Sequence, residues 1–242
     1  MPRYFMHLAY RGAPFHGWQI QPGQVTVQSV LEDALSKVLR QPVPIVGAGR
    51  TDTGVNASMM VAHFDAPEAP SVRALNSICG NDIAVYSVTE VHSEAHARFD
   101  ATSRTYHYRT LTVKSPFSYP LTWRPGHPLD FDAMNRAASQ LLNVSDFTSF
   151  AKLHSDAKTN ICRVTRAEWI SDPITGGMTF VITADRFLRN MVRAVVGTLV
   201  DVGRGKLSES GFSDVIACRD RCAAGTSMPP QALFLSEVTY PY

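Results

Sequence analysis

The chain has 242 residues, 45% of them apolar and 18% charged. Such a composition is globular and long enough for one large core or two modest ones, which excludes general disorder. A formal charge of +2 excludes a histone-like polycation, so a nucleic-acid partner would have to be met by cations gathered on one face.

The opening residues MPRYFMHLAYRG are too short and polar for a signal peptide, and no run of 18 apolar residues suggests a membrane span. Cys79, Cys162, Cys218 and Cys222 form no C-x-x-C pair. They read as free thiols in a reducing cytoplasm, with Cys218 and Cys222 four apart on one helix. No metal site is expected, because the histidines show no ligand spacing.

Residues 3–10 read as a strand, and Gly12 and Pro14 as a turn. Thr26 caps a helix from Val27 to Arg40, whose apolar side recurs at Val27, Leu31, Ala34, Leu35, Val38 and Leu39. Gln41 and Pro42 end it. Residues 43–47 lead into a glycine-rich loop, GAGRTDTGV, followed by a strand at Met59–Phe64. A second helix is expected over 71–79 and extended chain over 83–91 and 104–113. The proline-rich stretch 114–129 is a connector. Beyond it come a helix at 131–142, strands at 161–170 and 178–184, and an apolar helix from Phe187 to Val202 stopped by Gly203 and Gly205. A short helix at 211–218 and a strand at 233–240 close the chain.

Strands and helices mix in similar order in both halves. The expected class is therefore α+β: two mixed α/β lobes with largely antiparallel sheets around a central cleft. The division falls at 1–104, with the glycine-rich loop, and 105–242, with the apolar helix and last strand.

Three segments carry chemistry. The loop GAGRTDTGV lacks the G-K-[ST] ending of a phosphate loop and the G-x-G-x-x-G spacing of a dinucleotide site. Its glycines suit a tight turn or a bulky ligand held against backbone. Asp52 within it reads as a nucleophile or base with Arg50 nearby, or as an Asx turn capping its own loop. HARFDATSRTYHY, residues 96–108, interleaves Arg98 and Arg104 with Tyr106 and Tyr108, and Arg109 follows. It could stack and hold an extruded base, or be a half-buried strand with solvated arginines. In RFLRNMVRAVVGTL, residues 186–199, Arg189 and Arg193 lie four apart, on one side of a largely buried helix. A buried Arg193 would need a carboxylate partner, unless it snorkels to the helix edge.

Together these segments resemble the TruA family of tRNA pseudouridine synthases. GRTDTGVNA at 49–57 resembles the family's GRTDAGVHA-like loop, and Gly17-Trp18-Gln19 its Gly-Trp-Gln segment. Thr26 to Gln28, Leu31-Glu32, His96 to Phe99, Arg104 to Tyr106, DFTSF at 146–150 and Phe187 to Leu199 follow in collinear order. The resemblance implies a pseudouridine-synthase-like fold and isomerisation of uridines 38, 39 and 40 in the tRNA anticodon arm. It implies Asp52 as the catalytic aspartate, Arg193 as its basic partner and Tyr106 as the tyrosine that stacks on the uracil. Arg50 would help extrude the nucleotide and Leu233 would line the uracil pocket; Arg98 and Arg104 join them as substrate-binding residues. A cytoplasmic homodimer needing no metal or cofactor is implied as well. Thr53, Asn56, Met60 and Ala232 depart from the usual Ala, His, Gln and Gly. A tRNA-binding protein without catalysis is the alternative reading.

Overall fold

The computed structural model describes residues 1–153, 158–173 and 176–242. In chain order its elements are β1 (Arg3–Tyr10), α1 (Val27–Leu39), β2 (Val46–Gly47), β3 (Asn56–Asp65), α2 (Val72–Ile78), β4 (Ile83–Val91), β5 (Ser103–Arg109), α3 (Phe131–Ser139), β6 (Val164–Asp172), β7 (Gly177–Ala184), α4 (Met191–Gly203), α5 (Glu209–Cys218) and β8 (Leu233–Thr239). The chain is mixed α/β, and its strand pairings are mostly antiparallel. It divides into two compact units, Met1–Thr102 with Phe234–Tyr242, and Ser103–Leu233.

In the first unit β1 lies between β4 and β3, antiparallel to both. Tyr4, Phe5 and Met6 are all buried although they alternate faces, as expected of a strand covered on both sides. β2 pairs with β3 through Val46 and Gly47. β8 joins β3 in parallel, Asn56 opposite Phe234 and Ala57 opposite Leu235. That pairing explains why β3 starts at Asn56 rather than Met59. Asn-Ala-Ser carries no apolar alternation, and a partner distant in sequence makes it a strand.

Helix α1 begins as its sequence dictates. The Thr26 hydroxyl accepts from Ser29 N at 3.2 Å, and Ser29 Oγ accepts from Thr26 N at 3.1 Å. This reciprocal cap contributes about 1 kcal/mol. Val27, Leu31, Ala34 and Leu35 form its buried side.

In the second unit β7 lies between β5 and β6, antiparallel to both, with Tyr106 opposite Ile182 and Trp169 opposite Phe180. Every residue of α4 except Arg193 and Asp201 is buried, so it is a core helix rather than a surface one. The DFTSF stretch belongs to this core. Phe147 and Phe150 are fully buried, and Ser149 Oγ donates to the Val215 carbonyl at 2.6 Å. Each buried ring contributes about 1.5–3 kcal/mol.

Several boundaries differ from the pattern. α4 begins at Met191, not Phe187, because Asn190 turns left-handed at φ 66°, which asparagine tolerates. Arg189 therefore precedes the helix and does not share a helical side with Arg193. α5 ends at Cys218 where Arg219 turns left-handed at φ 53°, and Cys222 sits in the following 3-10 turn. The two cysteines thus do not lie on one helix. β5 ends at Arg109, and α3 gives way to a 3-10 turn at Gln140.

Candidate active site

The glycine-rich loop is fixed from three directions within the first unit. The Tyr10 and Thr51 hydroxyls are 2.8 Å apart, and both residues are buried. Trp18 N donates to the Thr51 carbonyl at 3.2 Å. Gly12 N donates to Asn56 Oδ1 at 2.8 Å. Between these anchors Val55 N closes a turn onto the Asp52 carbonyl at 3.1 Å, and Gly54 takes φ 79°. Asp52 is half-buried on this turn, with Arg50 and Thr53 exposed beside it.

Two glycines make the anchoring feasible. Gly17 has φ 82°, and a Cβ there would sit 2.5 Å from the Thr51 carbonyl oxygen. A Cβ on Gly47 would come within 2.5 Å of the Trp18 indole. Gly-Trp-Gln is thus the brace behind the loop. Gly17 O and Trp18 O also accept from Val27 N and Gln28 N, at 3.2 and 3.0 Å, which ties the loop to the start of α1.

Arg98 is exposed on a separate turn of this unit, its guanidinium 5.7 Å from the centroid of the Phe99 ring.

In the second unit Tyr106 and Tyr108 lie on the same side of β5, and both are buried, at 9% and 0% exposure. Tyr106 packs edge-on against Phe187, ring centroids 5.0 Å apart at 81°. Tyr108 donates to the Pro229 carbonyl at 3.2 Å. Burial pushes its phenol pKa up, against the opposing charge of Arg193. Arg104 Nη1 donates to the Asp185 carbonyl at 2.8 Å.

Arg193 is, with Asp201, one of two half-buried residues on α4. Its Nε donates to the Met228 carbonyl at 2.6 Å. The same stretch crosses α4 closely: Gly225 N donates to Thr198 Oγ1 at 2.9 Å, and a Cβ on Gly225 would meet the Gly197 carbonyl carbon at 2.7 Å. Asn190 Nδ2 donates to Ser227 Oγ at 2.6 Å. Leu233 follows, buried at 4% exposure. The stretch 225–233 therefore gathers the Tyr108 end of β5, Arg193 and Leu233 within one unit.

Comparison with known proteins identifies the family. A profile of the family described as tRNA pseudouridine synthase matches residues 137–241. A tRNA pseudouridine synthase A of Parabacteroides distasonis is 54% identical, over 100% of this chain and 97% of its own. That of Bacteroides fragilis is 54% identical over 99% and 96%, and that of Bacillus pumilus 39% identical over 96% and 97%. The chain belongs to the tRNA pseudouridine synthase A family.

For a member of that family, the departures at Asn56, Met60 and Ala232 are absorbed inside the fold. Asn56 supplies the acceptor for Gly12 N, and Met60 and Ala232 are fully buried. Thr53 is exposed. Sequence reasoning gave Tyr10, Met228 and Phe187 no part in the site. Tyr10 and Met228 act through backbone or a nonlocal hydroxyl, which local pattern does not carry. Trp18 is visible in the Gly-Trp-Gln segment, but its bond to the Thr51 carbonyl and its packing against Gly47 are what give it a role. Among the described residues no group of three or more His, Cys, Asp and Glu is placed to hold a metal ion.

Proposed function

We propose that this protein isomerises uridine to pseudouridine in tRNA, at positions 38, 39 and 40 of the anticodon arm, with Asp52 as the reacting carboxylate. The observation that carries this reading is the anchoring of the loop. Asp52 sits half-buried on a turn held by Tyr10, Trp18 and Asn56, and a fixed carboxylate loses little freedom when it reacts.

The reaction breaks the N-glycosidic bond, turns the uracil and joins its C5 to the ribose. It changes neither composition nor overall oxidation state, so its balance calls for no redox partner. A stacked uridine must first be flipped out, at a cost of a few kcal/mol. Arg50, exposed beside Asp52, is assigned to help extrude the target nucleotide, filling the gap it leaves and binding phosphate. Tyr106 offers the ring for the uracil, roughly 1–3 kcal/mol by analogy with base–aromatic stacking. Its ring packs edge-on against Phe187. Leu233 is assigned to the apolar wall of the uracil pocket, and Arg98 and Arg104 to the RNA. Arg193 is the cation assigned to balance the Asp52 charge. The same reading gives a cytoplasmic homodimer; sedimentation of the purified protein tests the dimer.

Unmodified tRNA carrying tritium at uracil C5 tests the activity. Tritium should pass to water from the anticodon arm, and not with Asp52→Ala. Binding without release would leave an RNA-binding protein in place of an enzyme.

A further inference from the structure

We propose that the Arg98–Phe99 turn is a second contact for the RNA, Phe99 stacking on an unpaired base while Arg98 meets its phosphate, and that Tyr240 and Tyr242 are positioning residues for this turn. The proposal rests on tRNA being the substrate.

Phe99 is 74% exposed. A single exposed apolar side chain is ordinary on a protein surface. What sets this one apart is the rigidity beneath it. His96 N donates to Asp100 Oδ2 at 2.7 Å, and Ala97 N to His63 Nδ1 at 3.1 Å. Arg98 N and Phe99 N both donate to His96 Nδ1, at 3.1 and 3.2 Å. Asp100 N donates to the His96 carbonyl at 3.1 Å. Each backbone donor from His96 to Asp100 is thus engaged within the turn or by His63. The Ala95 carbonyl accepts from Arg3 Nη1 at 3.1 Å. A loop that only connects two strands needs no such restraint.

The residues after β8 complete the hold. Tyr240 donates to the Ala97 carbonyl at 2.6 Å, and its ring meets Phe5 edge-on at 5.0 Å. Tyr242 donates to Asp100 Oδ2 at 3.1 Å, and its ring meets His92 edge-on at 4.9 Å. The Asp100 carboxylate therefore joins Tyr242 to the backbone of His96, whose ring lies 4.2 Å from that of Phe99 at 30°.

The displayed pair suits a nucleotide. A ring stacks on any base face, and a guanidinium pairs with a phosphate. One phenyl ring is far smaller than the roughly 800 Å² per partner of a stable protein interface. An aromatic already fixed in place also avoids the ordering cost that a mobile loop would incur on binding.

Steady-state kinetics and direct binding with unmodified tRNA test this, using the full chain with each variant's folding checked by thermal melting. Phe99→Ala should raise KM and Kd roughly 5- to 150-fold, the worth of one base–aromatic stack, with the loss falling on KM rather than kcat. Phe99→Trp should restore binding, and Phe99→Leu should not. Tyr240→Phe with Tyr242→Phe should raise KM in the Phe99 background and add little to Phe99→Ala, a coupling that mere destabilisation does not produce. Unchanged KM and Kd for Phe99→Ala, beside an active parent, would overturn the proposal and leave the assigned activity standing. Full rescue by Phe99→Leu would also overturn it, pointing to an apolar protein contact such as a second copy. A parent that neither binds tRNA nor releases tritium would instead remove the activity on which the proposal rests.

Discussion

Arg193 and Met228 are bonded to each other twice: Arg193 Nε donates to the Met228 carbonyl at 2.6 Å, and Met228 N donates to the Arg193 carbonyl at 3.1 Å. The pair fastens the stretch leading to Leu233 onto α4 and fixes the plane of the guanidinium. Lysine supplies the charge but not the planar fork. Arg193→Lys should therefore lose most turnover while unfolding close to the parent. Arg193→Met loses the charge-assisted bond as well, costing about 1.5–3 kcal/mol of stability. Chemical denaturation and tritium release on the same samples separate the two effects; a Lys variant with near-parental turnover would show that only the charge matters.

Removing the Asp52 carboxylate should abolish the reaction and spare recognition. Asp52→Asn keeps the size of the side chain, and the turn closed by Val55 N uses only the Asp52 backbone. Turnover should fall by about 10³-fold or more, as expected when a covalent or proton-transfer group is deleted. Binding to tRNA should persist in a filter assay. Appreciable single-turnover activity in the Asn variant would move the chemistry to another residue.

Gly17 tests whether the brace behind the loop matters to turnover. Its φ of 82° disfavours any side chain, and a Cβ would press on the Thr51 carbonyl at 2.5 Å. Gly17→Ala should cost about 1–3 kcal/mol in backbone strain, partly relieved by displacing residues 51–53. The displacement should lower kcat further than the stability loss alone explains. Gly23→Ala is the control: Gly23 also has positive φ, at 71°, but an added Cβ meets nothing within 4 Å. Equal effects on kcat in the two variants would mean the brace does not position Asp52.

These tests also mark how far the sequence could be read. Local pattern carried β1, α1, α2 and β4 nearly to the residue, because each has its own periodicity and its own cap or turn. The glycine-rich loop was legible as a tight turn because Gly54 sits where positive φ is needed. Pattern failed where pairing is nonlocal: the start of β3 depends on Phe234 and Leu235, and the hold on Arg193 depends on Met228. It failed again at Asn190, where a left-handed residue inside an apolar run begins α4 one turn late. The Asp52 neighbourhood was legible as chemistry through its motif, but the Tyr10–Thr51 bond beneath it links positions 10 and 51, and no spacing rule reaches that far.

His63 makes stability depend on pH. It is buried in β3, its Nδ1 accepts from Ala97 N, and its ring lies 4.5 Å from His96. A proton on Nδ1 would remove that acceptor. Burial, aided by the charges of His96 and Arg3 and opposed by Asp65 and Asp100, pushes its pKa down to about 4, against about 6.5 in an unfolded chain. Between these values the unfolded state binds more protons, so stability must rise with pH there. The contribution is complete above pH 6.5 and is lost progressively towards pH 4, by up to about 3 kcal/mol at 1.36 kcal/mol per unit. His7 and His96, also lowered by burial, act in the same direction. The depressed carboxyls of Asp65 and Asp146 act only at lower pH, below the ordinary carboxylate value. Urea midpoints measured from pH 4 to 7 should therefore climb steeply for the parent. His63→Asn keeps an acceptor near the Nδ1 position without titrating, and should climb less. Parallel curves would sink the assignment, whatever the absolute stability of the variant, because only the slope reports the proton.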